Sequence, residues 1–290
     1  MQTLAAIEQG FATRRSRPPD IPGAVEDVLG DASLAETPAA GAARALAAAV
    51  QAEGAFRPEL PYHNRHHVAE AVMAMGLLCA LARLGGLLDA PMSTLGVVAM
   101  VGHDRGHDGS PPGDGRLERL AAELTRPVLA AAGLGAAESL VVTDVILATD
   151  PACVAINAAR AAGCVPADPR GHGFDLLCQL ANEADVFASL LPSRGWRMGA
   201  ALAAEWRMGG HARAEAVASF SGRLGFLRLY RRFSPPAESL GLSRLVGQQV
   251  AAFAWGAASP EEGAAALDRM PRPAAHRRYM DALDAIQEAP

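Results

Sequence analysis

The stretch Pro61-Tyr62-His63-Asn64-Arg65-His66-His67, answered by Gly102-His103-Asp104-Arg105-Gly106-His107, decides how this chain reads. Five of the eight histidines fall in these two segments. A buried imidazole needs a partner for both ring nitrogens, so such a concentration points to metal binding or proton transfer. Pro61 precedes the first segment, and Val68-Ala69-Glu70-Ala71-Val72 can continue it as helix. It therefore reads as a loop entering a helix, with His63 and His67 four residues apart on one helical face. The second segment ends the apolar run Leu95 to Val101 and breaks into a Gly-, Pro- and Asp-rich loop from Gly106 to Gly115. A hydrophobic helix with His103 and Asp104 at its polar end can hold two metal ligands at the floor of a cleft.

The rest of the chain supplies the frame. With 290 residues, half of them apolar, a sizeable core is feasible. Alanine and leucine abound and aromatics are few, which favours helix over sheet. All 26 basic residues are arginine, which excludes a Schiff-base or P-loop lysine. The net charge of -5 leaves no basic footprint for a nucleic-acid polymer. Cys79, Cys153, Cys164 and Cys178 form no C-x-x-C pair and read as buried reduced thiols. Residues 1–17 lack a signal pattern, and the longest uncharged apolar stretch, 71–82, is shorter than the ~20 residues of a bilayer span. A cytoplasmic protein with no membrane partner is expected.

The pattern predicts an all-α chain. Helices are expected at 61–84, 92–104, 116–134, 136–150, 174–191, 199–208, 212–232, 237–256 and 261–288. A single domain over 1–290 is expected, with a core at 58–235 and helical extensions at 1–57 and 236–290. The first extension reads as an outer packing cap.

Tyr62-His63-Asn64-x-x-His67, His103-Asp104-x-x-His107, Thr149-Asp150 and Ala184-Asp185 occur in that order. This series resembles the HD superfamily of metal-dependent phosphohydrolases. More narrowly, it resembles the catalytic domain of class I cyclic-nucleotide phosphodiesterases, from about Pro61 to about Tyr230. Leu224-Gly225-Phe226-Leu227 is similar to that family's Val-Gly-Phe-Ile segment near the base pocket. The resemblance implies a compact multi-helix bundle. His67, His103, Asp104 and Asp185 match the first-metal ligands, a set suited to zinc, manganese or iron(II). Asp104 would also reach a second ion, magnesium or manganese. Two such divalent ions could share a hydroxide and clamp an in-line displacement at phosphorus. His63 matches the general acid that protonates the leaving alkoxide. His107 matches a histidine near the second metal's waters. Glu118 aligns with a glutamate close to His63 and that metal. Tyr62, Asp150, Arg223 and Phe226 fall at the substrate pocket, Asp150 as a carboxylate that orients its neighbours.

Each position has a plainer rival. Glu118 and Asp150 serve equally well as structural acceptors, His107 as a loop hydrogen-bonding group, and His66 as an exposed neighbour. His172, His211 and His276 are isolated, and local structural roles are expected of them. The chain also departs from the family. Arg223 stands where family members hold the purine with a glutamine. A guanidinium only donates, so it would meet a guanine acceptor edge, a phosphate or a carboxylate, or else lie on the surface. The family's pocket asparagine after the last ligand is missing from Asp185-Val186-Phe187-Ala188-Ser189, and the loop from His107 to Glu118 is shorter.

The expected function is hydrolysis of a small-molecule phosphate ester, with a cyclic nucleotide as the best single substrate. The alternatives are an HD-fold nucleotidase or phosphomonoesterase, a di-iron oxygenase, and a non-catalytic metal-bound sensor. An oxygenase would use further histidines before the last aspartate, where this chain offers only His107 and His172. A sensor would have no use for His63 as an acid. Oligomeric state is not legible in the sequence.

Overall fold

Several helices begin where a capping side chain or a proline lets the chain start one, and others begin after a glycine. The computed structural model describes residues 4–30, 32–55 and 59–288. It opens with α1 (Leu4–Arg15), α2 (Ile21–Leu29), α3 (Ala32–Ala35) and α4 (Pro38–Ala55). Next come α5 (Arg65–Leu84), α6 (Ala90–Gly102), α7 (Arg116–Ala131) and α8 (Ala136–Ala148), then a 3-10 turn (Pro151–Cys153) and α9 (Val154–Ala161). After these follow α10 (His172–Leu190), α11 (Pro192–Met208), α12 (Ala214–Val217) and α13 (Phe220–Leu229). The chain closes with α14 (Pro235–Ser239), α15 (Leu242–Phe253), α16 (Pro260–Asp268) and α17 (Arg272–Glu288). Among the described residues there is no strand, and the all-α architecture expected from composition is what forms.

The starts are local chemistry. The carboxylates of Asp20 and Asp89 accept from the backbone N–H groups of Gly23 and Met92, each at 2.8 Å, and a proline follows each cap. These oxygens satisfy N–H groups that have no partner inside the helix. The α10 helix is buried along nearly its whole length and packs against α5, α6, α8, α9 and α11. Its neighbour α6 is buried on every side from Ser93 to Gly102. Gly96 permits that approach: a Cβ there would lie 2.4 Å from Met75 Cε and 2.7 Å from Leu177 Cδ1. The α5 helix, with a mean hydropathy of 1.5, is long and apolar enough to cross a membrane, yet 67% of it is buried inside the protein. Its apolar surface is spent on neighbouring helices.

Both terminal segments join the same core. Ile21, Val25 and Leu46 are buried in one hydrophobic cluster with Met75, Leu177 and Tyr279. The α2 helix packs on α5, and α4 on α6. The described helices α2 and α4 are thus a wall of the core rather than an outer cap. The expected boundary at 57/58 lies outside the described residues.

Several details differ from the sequence reading. The expected helices at 237–256 and 261–288 are each broken in two, the first at Leu240-Gly241 between α14 and α15, the second at 269–271 between α16 and α17, where Pro271 stands. His63 is not on a helix. Asn64 is the cap of α5, its side-chain oxygen accepting from His67 N–H at 3.1 Å, so His63 stays in the bend before the helix, across which Asn64 N–H donates to the Tyr62 carbonyl at 2.9 Å. The expected helix at 212–232 is broken between α12 and α13. There Ser219 restarts the chain by accepting from Gly222 N–H at 2.8 Å, and the Asp268 carboxylate of α16 accepts from Phe220 and Ser221 N–H at 2.7 and 3.0 Å. Finally, Cys79 and Cys178 are buried free thiols, but Cys153 is half-buried and Cys164 exposed.

Candidate active site

His67, His103 and Asp104 bring three donor atoms within reach of one ion, and Asp185 approaches both imidazoles from α10. His67 lies in the first turn of α5, His103 caps the end of α6 with Asp104 next to it, and Asp185 projects from α10. His67 Nε2 is 3.1 Å from Asp104 Oδ2 and 3.0 Å from Asp185 Oδ1. His103 Nε2 is 3.2 Å and 3.4 Å from the same two oxygens, and 3.3 Å from His67 Nε2. The Met100 carbonyl, 2.8 Å from His103 Nδ1, can only accept, so that nitrogen carries the proton of the neutral ring. The neutral ring then aims its Nε2 lone pair at carboxylate oxygens. Two acceptors do not attract each other across 3.2 Å unless a cation or proton lies between them.

The donor set fits a divalent ion. Donors each about 2.1 Å from a common ion stand about 3.0–3.4 Å apart, as computed for octahedral and tetrahedral bonds of that length. Asp104 Oδ2 is buried, and what it faces is the pair of imidazole Nε2 atoms. Burial works against charge on His67 and His103. The hydrogen bonds and charges of Asp104 and Asp185 outweigh it, holding His67 up to about 9 and His103 well above its ordinary value. Burial also opposes charge on the two aspartates, and the two imidazoles win there too, holding both well below the usual carboxylate range. The pocket is built to hold positive charge.

A second group stands beside this one: His63, His107 and Glu205. Glu205, on α11, was not legible as a site residue, being a lone acid in Ala203-Ala204-Glu205-Trp206. Its Oε2 accepts from Tyr62 N–H at 2.9 Å and His63 N–H at 3.0 Å, and its Oε1 takes the Nδ1–H of His63. Burial alone would raise the Glu205 carboxyl, but these bonds and the neighbouring His63 hold it below its ordinary value, so it is ionised. The His107 ring stacks on His63 at 3.6 Å, and its Nδ1 accepts from Gly109 N–H at 3.0 Å. Burial, reinforced by repulsion from His63, pushes His107 down to about 4. Both Nδ1 atoms are committed, His63 to Glu205 and His107 to Gly109, and the three side chains lie close enough together to share one ion.

Both groups open onto a cavity of about 460 Å³, within the size range of small-molecule sites. Tyr62, His63, Asp104, His107, Glu118, Asp185, Arg223 and Phe226 line it, with an apolar side formed by Met198, Leu202, Leu229 and Tyr230. Tyr62 OH pairs with Ser189 Oγ at 3.0 Å, and burial together with the Asp185 charge pushes that phenol well up. Glu118, in the first turn of α7, is raised by burial and by the charges of Asp150, Asp104 and Asp185. Asp150 takes a capping place: its carboxylate accepts from Ala152 N–H at 2.9 Å, while its neighbours Thr149 and Pro151 line the cavity. Arg223 is buried, so the surface position considered for it is not the one it takes. His66 is half-buried beside the site, and His172, His211 and His276 lie outside the cavity lining.

No family model matches the sequence, and no curated protein does. Solved structures do match. The phosphodiesterase domain of the RhoPDE fusion protein from the choanoflagellate Salpingoeca rosetta superposes with a TM-score of 0.60 at 14% identity, covering 94% of each chain. A second structure of the phosphodiesterase domain of the Salpingoeca rosetta rhodopsin phosphodiesterase gives 0.60 at 13% identity, over 94% of this chain and 90% of that one. LmjPDEB1 in complex with IBMX gives 0.56 at 16% identity, over 96% and 88%. The chain therefore has the all-helical fold of phosphodiesterase catalytic domains, as the sequence resemblance implied.

Proposed function

We propose that this protein is a metal-dependent phosphohydrolase acting on a small phosphodiester, with a cyclic nucleotide as the best single substrate. The observation that carries the reading is the meeting of two devices beside one cavity: the His67, His103 and Asp104 cluster, with Asp185 against both imidazoles, and a carboxylate-backed imidazole. His67, His103, Asp104 and Asp185 would hold zinc, manganese or iron(II). A second ion, magnesium or manganese, would share Asp104, with Glu118 and His107 facing its waters. Bound there, such ions polarise a phosphoryl oxygen and lower the pKa of water.

The chain's own residues do the rest. Glu205 fixes the Nδ1–H of His63, which leaves Nε2 to give a proton to the departing alkoxide. His107, neutral and stacked on it, adds no second positive charge beside that donor. Tyr62 keeps its proton and its bond to Ser189, so it shapes the wall without entering the proton transfer. The apolar side excludes water and takes the non-reacting part of the substrate.

The test is metal analysis of the purified protein together with a hydrolysis screen in manganese against cyclic mononucleotides, linear dinucleotides, nucleoside monophosphates and bis-p-nitrophenyl phosphate. Cleavage that His63→Ala abolishes while metal content stays constant supports the reading. Bound metal with no cleavage of any phosphate ester overturns it.

A further inference from the structure

Arg223 is a buried cation without a counter-charge. The other deeply buried arginine, Arg194, pairs with Glu70. Arg223 has only neutral partners: one Nη donates to the Ser189 carbonyl, and the other to Gln249 Oε1 at 2.6 Å. The Gln249 amide nitrogen donates in turn to the Leu190 carbonyl at 2.7 Å, so its oxygen is locked towards the guanidinium. Nε has no partner among the described residues and is buried. No carboxylate there offsets the charge, and burial alone drags the group down to about 10, which leaves it charged near neutral pH.

An uncompensated buried charge is costly, and the backbone has been shaped to accept this one. The guanidinium lies flat against Gly195 of α11, with Cζ and both Nη atoms 2.4 Å from where a Cβ would stand. It also lies 5.4 Å from the Phe226 ring centroid, and both residues line the cavity. Two of its five N–H groups are used by Ser189 and Gln249, and the remainder have no acceptor among the described residues.

We infer that Arg223 makes the far end of this cavity specific for a ligand edge that presents two adjacent hydrogen-bond acceptors and no donor. Two kinds of group carry that edge. One is the O6/N7 edge of an oxopurine, which an arginine grips with two bonds; the other is a carboxylate on a flat ring. An aminopurine is disfavoured because its exocyclic amine would face a group that only donates. The inference takes from the proposed function only the idea that the cavity holds a substrate. Its test is therefore a binding measurement that needs no turnover.

The full-length, manganese-loaded protein is titrated calorimetrically with guanosine, inosine, 7-deazaguanosine and adenosine 5′-monophosphates, and separately with benzoate. If the edge is an oxopurine, guanosine and inosine monophosphates bind tenfold or more tighter than adenosine monophosphate, about the discrimination of one good two-bond contact, and removing N7 weakens binding. If it is a carboxylate, benzoate binds and the nucleotides do not separate. In either case Arg223→Gln abolishes the preference or the benzoate binding. The wild-type series decides the matter even if that variant fails to fold. Equal affinity for guanosine and adenosine monophosphates with no benzoate binding overturns the inference, as does an Arg223→Gln protein that keeps the wild-type pattern. Failure of the hydrolysis screen alone counts against the proposed function and leaves this readout intact.

Discussion

Glu205→Gln is the sharpest probe of the proton-transfer reading. Glu205 accepts three hydrogen bonds, from Tyr62 N–H, His63 N–H and the His63 ring. Truncation to alanine would strand two backbone donors beside a buried site, at about 1–3 kcal/mol each, and would confuse folding with chemistry. Glutamine keeps one oxygen for the backbone donors but loses the charge. It must either turn its amide nitrogen towards His63 Nδ1 or give up one backbone bond. Exchange of one charge-assisted bond for a neutral one costs about 1–2 kcal/mol of stability, small enough for the variant to fold. The effect on turnover should be larger, about 10²-fold or more, because the ring loses both its fixed tautomer and the anion that supports its charged form. The assay is kcat and KM in manganese for two phosphodiesters, one releasing an alkoxide and one releasing p-nitrophenolate, with metal content measured on the same samples. The kcat loss should be large for the alkoxide and much smaller for p-nitrophenolate, which departs readily without a proton. Metal content should not change. An equal loss on both esters, or undiminished kcat on the alkoxide ester, would refute the assignment of Glu205 and His63 to leaving-group protonation.

Other outcomes are expected. Asp185→Asn removes one of the two carboxylates that face both imidazoles, and elemental analysis should show the metal lost or greatly reduced; full retention would refute the ligand set. Burial pushes the Glu183 carboxyl up to about 7, against the opposing hydrogen bonds of Ser234 and Gln179. Its folded value is thus raised above the usual ~4.3, so its favourable contribution is full below that value and is lost as pH rises towards 7. Denaturant titrations of wild type and Glu183→Gln should diverge with pH by a few kcal/mol across this window and run parallel above it. Gly96→Ala should lower stability by about 1–3 kcal/mol, read as a lower denaturation midpoint, because its methyl would collide with Met75 and Leu177.

How far the sequence could be read depended on distance along the chain. The His63, His67, His103, Asp104 and Asp185 positions announce themselves because imidazoles and acids are conspicuous against apolar helix; the structure lines one cavity with His63, Asp104 and Asp185 and sets His67 and His103 against the two aspartates. Glu205 meets His63 across 142 positions, and nothing near Glu205 hints at a partner. Placing His63 on the helix followed from i, i+4 spacing. The competing signal was Asn64, a strong cap that starts the helix one residue later. The break at Ser219 was hidden for a similar reason: the serine's effect depends on Asp268, supplied from another helix. For Arg223 the sequence left pocket and surface equally open, and only Gly195 and Gln249, brought in from α11 and α15, show where the guanidinium lies.

The residues that steady the Arg223 wall come late in the chain. Gln249 orders the guanidinium and Asp268 fixes the start of α13, whereas the residues proposed to hold the cation are complete by Asp185 and those proposed to move the proton by Glu205. During synthesis the reactive floor therefore emerges first, and the discriminating wall gains its supports only as the final helices leave the ribosome. The same ordering gives evolution two separate dials. On the proposed reading, changes in α15 and α16 would retune what the cavity admits by moving α13, without touching a side chain proposed to act in bond cleavage.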